Sequence, residues 1–228
     1  MKPQTLALDV YGTLINTSGV LKLLHEYLEE KASAFSELWR DKQLEYSFRR
    51  GLMNRHVDFS VCTKEALEYC CQALAVELSD EQRADLMNLY KVLHAFEDTA
   101  VALKKLQEAG HRLFAFSNGS YNAVEGLLKN ANIIQYFDGI VSMEDVKTFK
   151  PNPAGYAYFT QVTKATKSNA WLVSGNNFDV IGALSYGMNG VWLKRNPKVT
   201  FDPMGFKPTL TIHQLTDLVE ALSNFSTD

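Results

Sequence analysis

The sequence predicts an α/β protein in which a parallel sheet carries helices on both faces and an all-helical subdomain is inserted after the first strand. Two observations predict this fold class. Short apolar runs that end in polar residues alternate with helical segments from Asp98 to the C-terminus, which is the pattern of a parallel sheet. The interval between the first two apolar runs is roughly 75–80 residues longer than an ordinary βαβ unit requires, and its apolar residues recur at helical spacing.

Five apolar runs are the predicted strands. The first covers residues 6–10 and is followed by Gly12, which suits a tight turn that brings backbone N–H groups toward an anion. The later runs are residues 113–116, 140–141, 170–173 and 191–193. Each is short and almost wholly apolar, as expected of strands that are buried on both faces of a sheet.

Three helices between these strands carry start and stop signals. A side-chain oxygen that can accept from a backbone N–H precedes each helix, and glycine ends two of them. The predicted caps and stops are Asp98 with Gly110, Asn152 with Pro153, and Asn177 with Gly187.

The inserted segment has a purely helical pattern. Ser79 and Gln82 form a capping-box pair at the start of one of its helices. We therefore expect two domains, a core made of residues 1–15 and 97–228 and a helical cap made of residues 16–96. The cap is expected to lie above the carboxyl ends of the strands, where open α/β sheets bind their ligands.

Charge and composition exclude several classes of function. The 228 residues include 23 Lys and Arg against 26 Asp and Glu, a formal net charge of −3, so we expect no nucleic-acid partner. No apolar stretch approaches the roughly 20 residues that span a bilayer, and residues 1–9 lack the apolar core of a signal peptide. The sequence therefore predicts a soluble, cytoplasmic protein without a membrane partner.

The cysteines and histidines do not suggest a metal site. Cys62, Cys70 and Cys71 have no ligand-like spacing to any histidine, and the chain contains no His-x-x-x-His pair. The last two cysteines fall on an apolar helical stripe with Leu67 and Leu74. We expect all three to be reduced thiols in the core.

Polar residues follow four of the predicted strands and are expected to converge on one crevice. They are Asp9, the turn Ser117-Asn118-Gly119, Lys150 before Pro151, and the segment from Ser174 to Asp179. A lysine beside Asp9 would keep that carboxylate ionised, as a nucleophile must be, and Asp179 would then serve as general base for water. Taken singly, each fits an ordinary turn, helix end or surface charge, but their order after successive strands favours a site.

These four segments resemble the four motifs of the haloacid dehalogenase superfamily, and the resemblance covers essentially the whole chain. It implies a Rossmann-like core with a helical cap. Most members are magnesium-dependent phosphatases, which need a second Asp two positions after the nucleophile and an acidic pair after the fourth strand. This chain has Tyr11 at the first place and Ser174-Gly175-Asn176-Asn177 at the second. We therefore expect no metal and no cofactor.

The cap carries a second resemblance. Arg40 lies in the segment Trp39-Arg40-Asp41-Lys42-Gln43-Leu44-Glu45-Tyr46, which is similar to the L-2-haloacid dehalogenases. A halide leaves as a stable anion and needs no proton, and an arginine stays charged in a desolvated pocket that receives it.

The resemblance to these dehalogenases implies a role for each matching position. Asp9 would displace halide from C2 of an L-2-haloacid and form an ester, and Asp179 would activate the water that releases a D-2-hydroxy acid. The other implied roles are a halide cradle (Arg40, Asn118), a hydroxyl on the substrate carboxylate (Ser117), a lysine shared between Asp9 and substrate (Lys150), a supporting polar shell (Thr13, Tyr156, Ser174, Asn176) and an apolar wall (Tyr11, Leu44, Phe59, Phe178).

Two positions depart from the family pattern. Asp41 and Phe178 stand where members usually carry Gln and Trp, which puts substrate size and halide preference in question. The alternatives are a magnesium-dependent phosphatase acting on a small phosphomonoester and a non-catalytic protein that binds small carboxylates. The family commonly forms homodimers, so a homodimer is the expected assembly.

Overall fold

The computed structural model describes residues 2–225 of the chain, and its core is one parallel sheet. All five strand pairings are parallel and the strand order is β3-β2-β1-β4-β5-β6. The strands are β1 (Thr5–Leu8), β2 (Arg112–Ser117), β3 (Gly139–Ser142), β4 (Ala170–Ser174), β5 (Asn189–Leu193) and β6 (Leu210–Ile212).

The predicted strands are all present, with two differences. The first ends at Leu8, so that Asp9 lies just beyond the strand. The edge strand β6 has no counterpart in the prediction. It is three residues long and only Ile212 is buried, which is too short a segment to show the alternation of apolar and polar residues that predicts a strand.

Helices cover both faces of the sheet, so the predicted fold class is confirmed. In chain order, the helices of the described residues are α1 (Ser18–Leu28), α2 (Ala32–Leu52), α3 (Phe59–Ala73), α4 (Asp80–Leu89), α5 (Thr99–Glu108), α6 (Tyr121–Asn130), α7 (Pro153–Thr163), α8 (Asn177–Tyr186) and α9 (Leu218–Phe225). Side chains of a strand alternate between faces. In β1, Leu6 and Leu8 join the apolar cluster that includes α5, α6 and α9, whereas Ala7 joins the cluster that includes α7 and α8.

Two of the predicted caps form as expected, and two differ. Asn152 accepts from the N–H of Ala154 with Pro153 opening α7, and Ser79 and Gln82 form a reciprocal capping box on α4. The cap of α8 is Asn176 rather than Asn177.

Asp98 occupies the cap position of α5 but makes no side-chain cap bond. Its carboxylate instead pairs with Arg195 at 3.1 Å and accepts from the N–H of Leu215 at 2.6 Å. A charged partner binds a carboxylate more strongly than a helix N–H does, which explains the difference. Arg195 also donates to the carbonyl of Thr13, so the pair holds the turn after β1.

Helices α1 to α4 lie in the long interval between β1 and α5, where an inserted helical cap is predicted. The domain boundaries at residues 15/16 and 96/97 stay a prediction. The indole Nε1 of Trp39 donates to the carbonyl of Thr63 at 2.8 Å and ties α2 to α3. This bond is buried and therefore holds the two helices in one register.

The three cysteines are buried and free, as predicted. Burial raises the pKa of the Cys62 thiol to about 11 and that of Cys70 to about 12. Thiols with such pKa values form little thiolate at neutral pH and are poor nucleophiles. Within residues 2–225, no helix has both the length and the apolar character that crossing a bilayer requires.

Candidate active site

The carboxylate of Asp9 lies at the centre of a polar cluster beyond the ends of β1 and β4. Its Oδ2 accepts from Thr13 Oγ1 at 2.7 Å, from Asn176 Nδ2 at 2.8 Å and from Ser174 Oγ at 3.1 Å. Its Oδ1 accepts from Lys150 Nζ at 2.9 Å. One carboxylate oxygen is thus held by three donors and the other by one.

Backbone groups orient two of these donors. The hydroxyl of Thr13 accepts from the N–H of Gly175, and that of Ser174 accepts from the N–H of Asn176. A hydroxyl whose lone pair is taken turns its hydrogen toward the remaining acceptor, which here is Asp9. Three residues of the predicted polar shell, Thr13, Ser174 and Asn176, therefore contact Asp9, whereas the fourth, Tyr156, contacts Asp179.

Lys150 bridges two carboxylates. Its side chain is 2% exposed, and its Nζ donates to Asp9 Oδ1 at 2.9 Å, to Asp179 Oδ2 at 2.6 Å and to the carbonyl of Phe116 at 3.0 Å. These acceptors use all three ammonium hydrogens. The expectation that Lys150 is shared between Asp9 and substrate therefore differs from the geometry, in which Asp179 and the Phe116 carbonyl take the remaining hydrogens.

The surroundings set the charges of these groups. Burial acts to raise the pKa of Asp9, but the Lys150 charge and the donated hydrogen bonds outweigh it, and the pKa is lowered. Burial acts to lower the pKa of Lys150, but the charges of Asp179 and Asp9 outweigh it, and the pKa is raised. Asp9 is therefore ionised and Lys150 protonated at neutral pH.

Asp179 is different because burial dominates. Burial raises the pKa of Asp179 to about 6. The charge of Lys150 and the hydrogen bonds from Lys150 and Tyr156 oppose this shift only in part, and the charge of Asp9 adds to it. The hydroxyl of Tyr156 donates to Asp179 Oδ1 at 2.9 Å and also reaches the Asp179 carbonyl at 3.1 Å. A carboxylate with a pKa close to neutrality suits a general base.

A small pocket of about 30 Å³ opens beside this cluster. All eight residues that the sequence predicts to bind substrate line it, from the core and from the helices between β1 and α5. They are Tyr11, Arg40, Leu44, Phe59, Ser117, Asn118, Lys150 and Phe178.

Three polar side chains in the pocket have N–H or O–H groups that can donate hydrogen bonds to a ligand. Arg40 Nη2 donates to Asn176 Oδ1 at 3.2 Å, which links α2 to the residue that holds Asp9. Asn118 Oδ1 accepts from the N–H of Lys150 at 2.8 Å, so its amide Nδ2 is the end that can donate into the pocket. Ser117 Oγ accepts from the N–H of Gly119, which leaves its hydroxyl hydrogen as a donor.

Sequence reasoning missed two glycines that allow segments of the site to pack closely against each other. A Cβ on Gly182 would lie 2.3 Å from the hydroxyl of Tyr156, and a Cβ on Gly175 would lie 2.7 Å from the carbonyl oxygen of Gly12. Gly182 is inside α8, and a glycine in a helix interior is the sequence signal that could have revealed this close approach. Glycine at position 182 allows Tyr156 to reach Asp179, and glycine at position 175 allows the turn after β4 to approach the turn after β1.

No group of three or more His, Cys, Asp or Glu side chains within residues 2–225 is arranged to hold a metal ion. The carboxylates of Asp9 and Asp179 are instead joined by the Lys150 ammonium. Tyr11 lines the pocket, and burial raises the pKa of its hydroxyl well above 10, so it is a neutral wall residue.

Comparison with known proteins identifies the family of this chain. The sequence model of the haloacid dehalogenase-like hydrolases matches residues 3–187. The chain belongs to this family. An (S)-2-haloacid dehalogenase of Pseudomonas putida is 35% identical over 221 residues, which cover 97% of each chain. An (S)-2-haloacid dehalogenase of Pseudomonas fluorescens is 35% identical over 216 residues, which cover 95% of each.

Solved structures of the family superpose over nearly the whole chain. An L-2-haloacid dehalogenase structure matches with a TM-score of 0.94 and 29% identity, covering 98% of this chain and 100% of that one. The L-2-haloacid dehalogenase of Xanthobacter autotrophicus with chloropropionic acid covalently bound matches with a TM-score of 0.87 and 28% identity, covering 97% and 99%.

Proposed function

We propose that the protein is an (S)-2-haloacid dehalogenase, a hydrolase of carbon–halide bonds. It would convert short-chain L-2-haloacids to D-2-hydroxy acids with inversion at C2, through an ester on Asp9 and without a metal. The observation that carries this proposal is an ionised, buried Asp9 at a pocket that presents Arg40 together with an apolar wall. The relatives named for this activity support it.

The first step is displacement of halide by Asp9. Its Oδ2 accepts three hydrogen bonds, whereas Oδ1 accepts one and keeps lone-pair density for C2. A bond forms between Oδ1 and C2, and the carbon–halogen electron pair leaves with the halide. In-line attack from the opposite side inverts C2. Arg40 and Asn118 would receive the halide, and Ser117 would hold the substrate carboxylate.

The second step is hydrolysis of the ester. Asp179 takes a proton from water, and the hydroxide oxygen bonds to the Asp9 carboxyl carbon. Negative charge develops on Oδ2, where Thr13, Ser174 and Asn176 already donate, so these groups act as an oxyanion hole. The bond between Oδ1 and that carbon then breaks, and the alkoxide takes the proton from Asp179. The remaining hydrogen of the water is released from the Asp9 carboxyl to solvent, which restores the carboxylate.

The activity has a direct test. We expect chloride release from L-2-chloropropionate, with D-lactate as product, at a rate that EDTA does not change. The D-enantiomer should not be turned over, and p-nitrophenyl phosphate with Mg²⁺ should release no phosphate. Absence of halide release from every short L-2-haloacid, or loss of activity in EDTA, would contradict the proposal.

The pH dependence of turnover should follow Asp179. Below a pKa of about 6 its carboxyl is protonated and cannot accept a proton from water, so kcat should fall as pH falls through that value. Because the Tyr156 hydrogen bond lowers this pKa, Tyr156→Phe should move the acidic limb to higher pH. Initial rates from pH 4.5 to 8 measure both, with circular dichroism confirming the fold. If the acidic limb of the pH profile lies at the same pH in Tyr156→Phe as in the wild type, the limb does not report the pKa of Asp179.

We also propose that the protein is a cytoplasmic homodimer. At the end of α2, Leu52 is 86% exposed and Met53 is 60% exposed, and a partner subunit would cover this apolar surface. The three buried free thiols suit a reducing compartment.

A further inference from the structure

A second and much larger cavity adjoins the catalytic pocket. It has a volume of about 890 Å³, and we call it the chamber. Tyr11, Arg40, Phe59, Gly119 and Asn176 line both spaces, so the chamber borders the pocket in which C2 of a haloacid would lie. Side-chain atoms of a substrate beyond C3 would therefore extend into the chamber.

Tyr90 presents a donor to the chamber. Its hydroxyl oxygen accepts from Gln43 Nε2 at 3.0 Å, and no residue between 2 and 225 accepts its hydroxyl hydrogen. Its ring is held by the ring of Trp39 at a centroid distance of 5.5 Å and lies 6.3 Å from that of Tyr11. The oxygen is thus oriented by a neighbour, while the hydrogen is available to a ligand.

Gln43 orients the Tyr90 hydroxyl through this hydrogen bond. It is fully buried on α2, and its Oε1 has no hydrogen-bond partner among the described residues. A buried, unpaired amide oxygen destabilises a fold, and apolar residues usually occupy such positions. The bond to Tyr90 is the contact that accounts for an amide at this position.

The charges around the chamber define what Tyr90 can bind. Glu37, Asp41 and Asp58 line it, against Arg40 and Lys91 as the cations among the described lining residues. Arg40 is engaged with Asn176 beside the catalytic pocket. A second carboxylate on the substrate would meet net negative charge, whereas a neutral oxygen would not.

Burial raises the pKa of Tyr90, and the hydrogen bond from Gln43 and the charge of Arg40 oppose this only in part. The hydroxyl therefore stays protonated at neutral pH and acts as a donor.

We propose that Tyr90 is a specificity-determining residue that donates its hydroxyl hydrogen to a neutral oxygen, such as an ether or carbonyl oxygen, in the side chain of a 2-haloacid. The preferred substrates would then be longer 2-haloacids with one neutral acceptor beyond C3. This inference rests on the proposed function and deepens it.

Two isosteric substrates test the inference. L-2-chloro-3-methoxypropionate and L-2-chlorovalerate have the same length and differ by an ether oxygen in place of a methylene. The measured quantity is the ratio of kcat/KM for the ether to kcat/KM for the alkyl substrate. Tyr90→Phe should lower this ratio about five- to tenfold, the effect of one neutral hydrogen bond. A general loss of activity cancels in the ratio.

Controls separate this inference from the proposed function. Tyr27→Phe removes a hydroxyl that donates to Asp85 on the exposed side of α1 and should leave the ratio unchanged. Gln43→Met removes the bond that orients Tyr90 and should lower the ratio, so it decides the matter if Tyr90→Phe does not fold. If Tyr90→Phe and Gln43→Met have the same ratio as the wild type while they still turn over 2-chloropropionate, the inference is overturned. Absence of halide release from every short L-2-haloacid would instead refute the proposed function.

Discussion

Asp9→Asn is expected to lower halide release from L-2-chloropropionate by about 10⁴-fold or more, the size of effect seen when a covalent nucleophile is removed. The amide keeps the shape of the carboxylate, but its oxygen is neutral and is a poor nucleophile toward C2. Chloride release under saturating substrate, compared with the wild type at equal concentration, measures the effect.

The matched control for this variant is Asp85→Asn, which neutralises an exposed carboxylate outside the catalytic pocket. It should retain wild-type activity. Thermal unfolding should show that Asp9→Asn is folded, although Lys150 loses one of its two charged partners. Activity of Asp9→Asn within tenfold of wild type would refute the ester mechanism.

Asp179→Asn is expected to trap the ester. Displacement by Asp9 does not require Asp179, whereas hydrolysis needs a base for water, so one halide per active site should be released before turnover slows about 10³-fold. Intact-protein mass spectrometry should find the chain heavier by the substrate minus hydrogen halide, with the adduct on Asp9.

The double variant Asp9→Asn/Asp179→Asn should show neither burst nor adduct. In wild type, a single turnover in ¹⁸O-labelled water should place the heavy oxygen in Asp9 and none in the first product molecule. Label in the first product would mean that water attacks C2 directly, and an adduct on another residue would mean that Asp9 is not the nucleophile.

Much of the site could be predicted because its parts follow from local signals. The carboxyl ends of parallel strands share one edge of the sheet, so Asp9, Ser117 and Ser174 converge once the strands are recognised. The caps of α4 and α7 form within three residues of sequence and were predictable for the same reason.

Contacts between distant segments were not predictable in this way. Asp98 has a cap pattern but binds Arg195, which lies 97 residues away. Lys150 has its nearest catalytic partners at Asp179 and at Asp9, 29 and 141 residues away. Which acceptors take its three hydrogens depends on how α8 and β1 are placed around it.

The sequence alone determined where strands β1 to β5, the helices between them and the polar strand ends follow one another along the chain, because hydrophobic periodicity and capping are encoded within a few neighbouring residues. Only the tertiary structure decided that burial raises the pKa of Asp179, that Lys150 joins the two carboxylates, and that Gln43 donates a hydrogen bond to Tyr90. The reason is physical: pKa values and hydrogen-bond partners depend on the local dielectric and on charges within a few ångströms, and these are set by packing between distant segments.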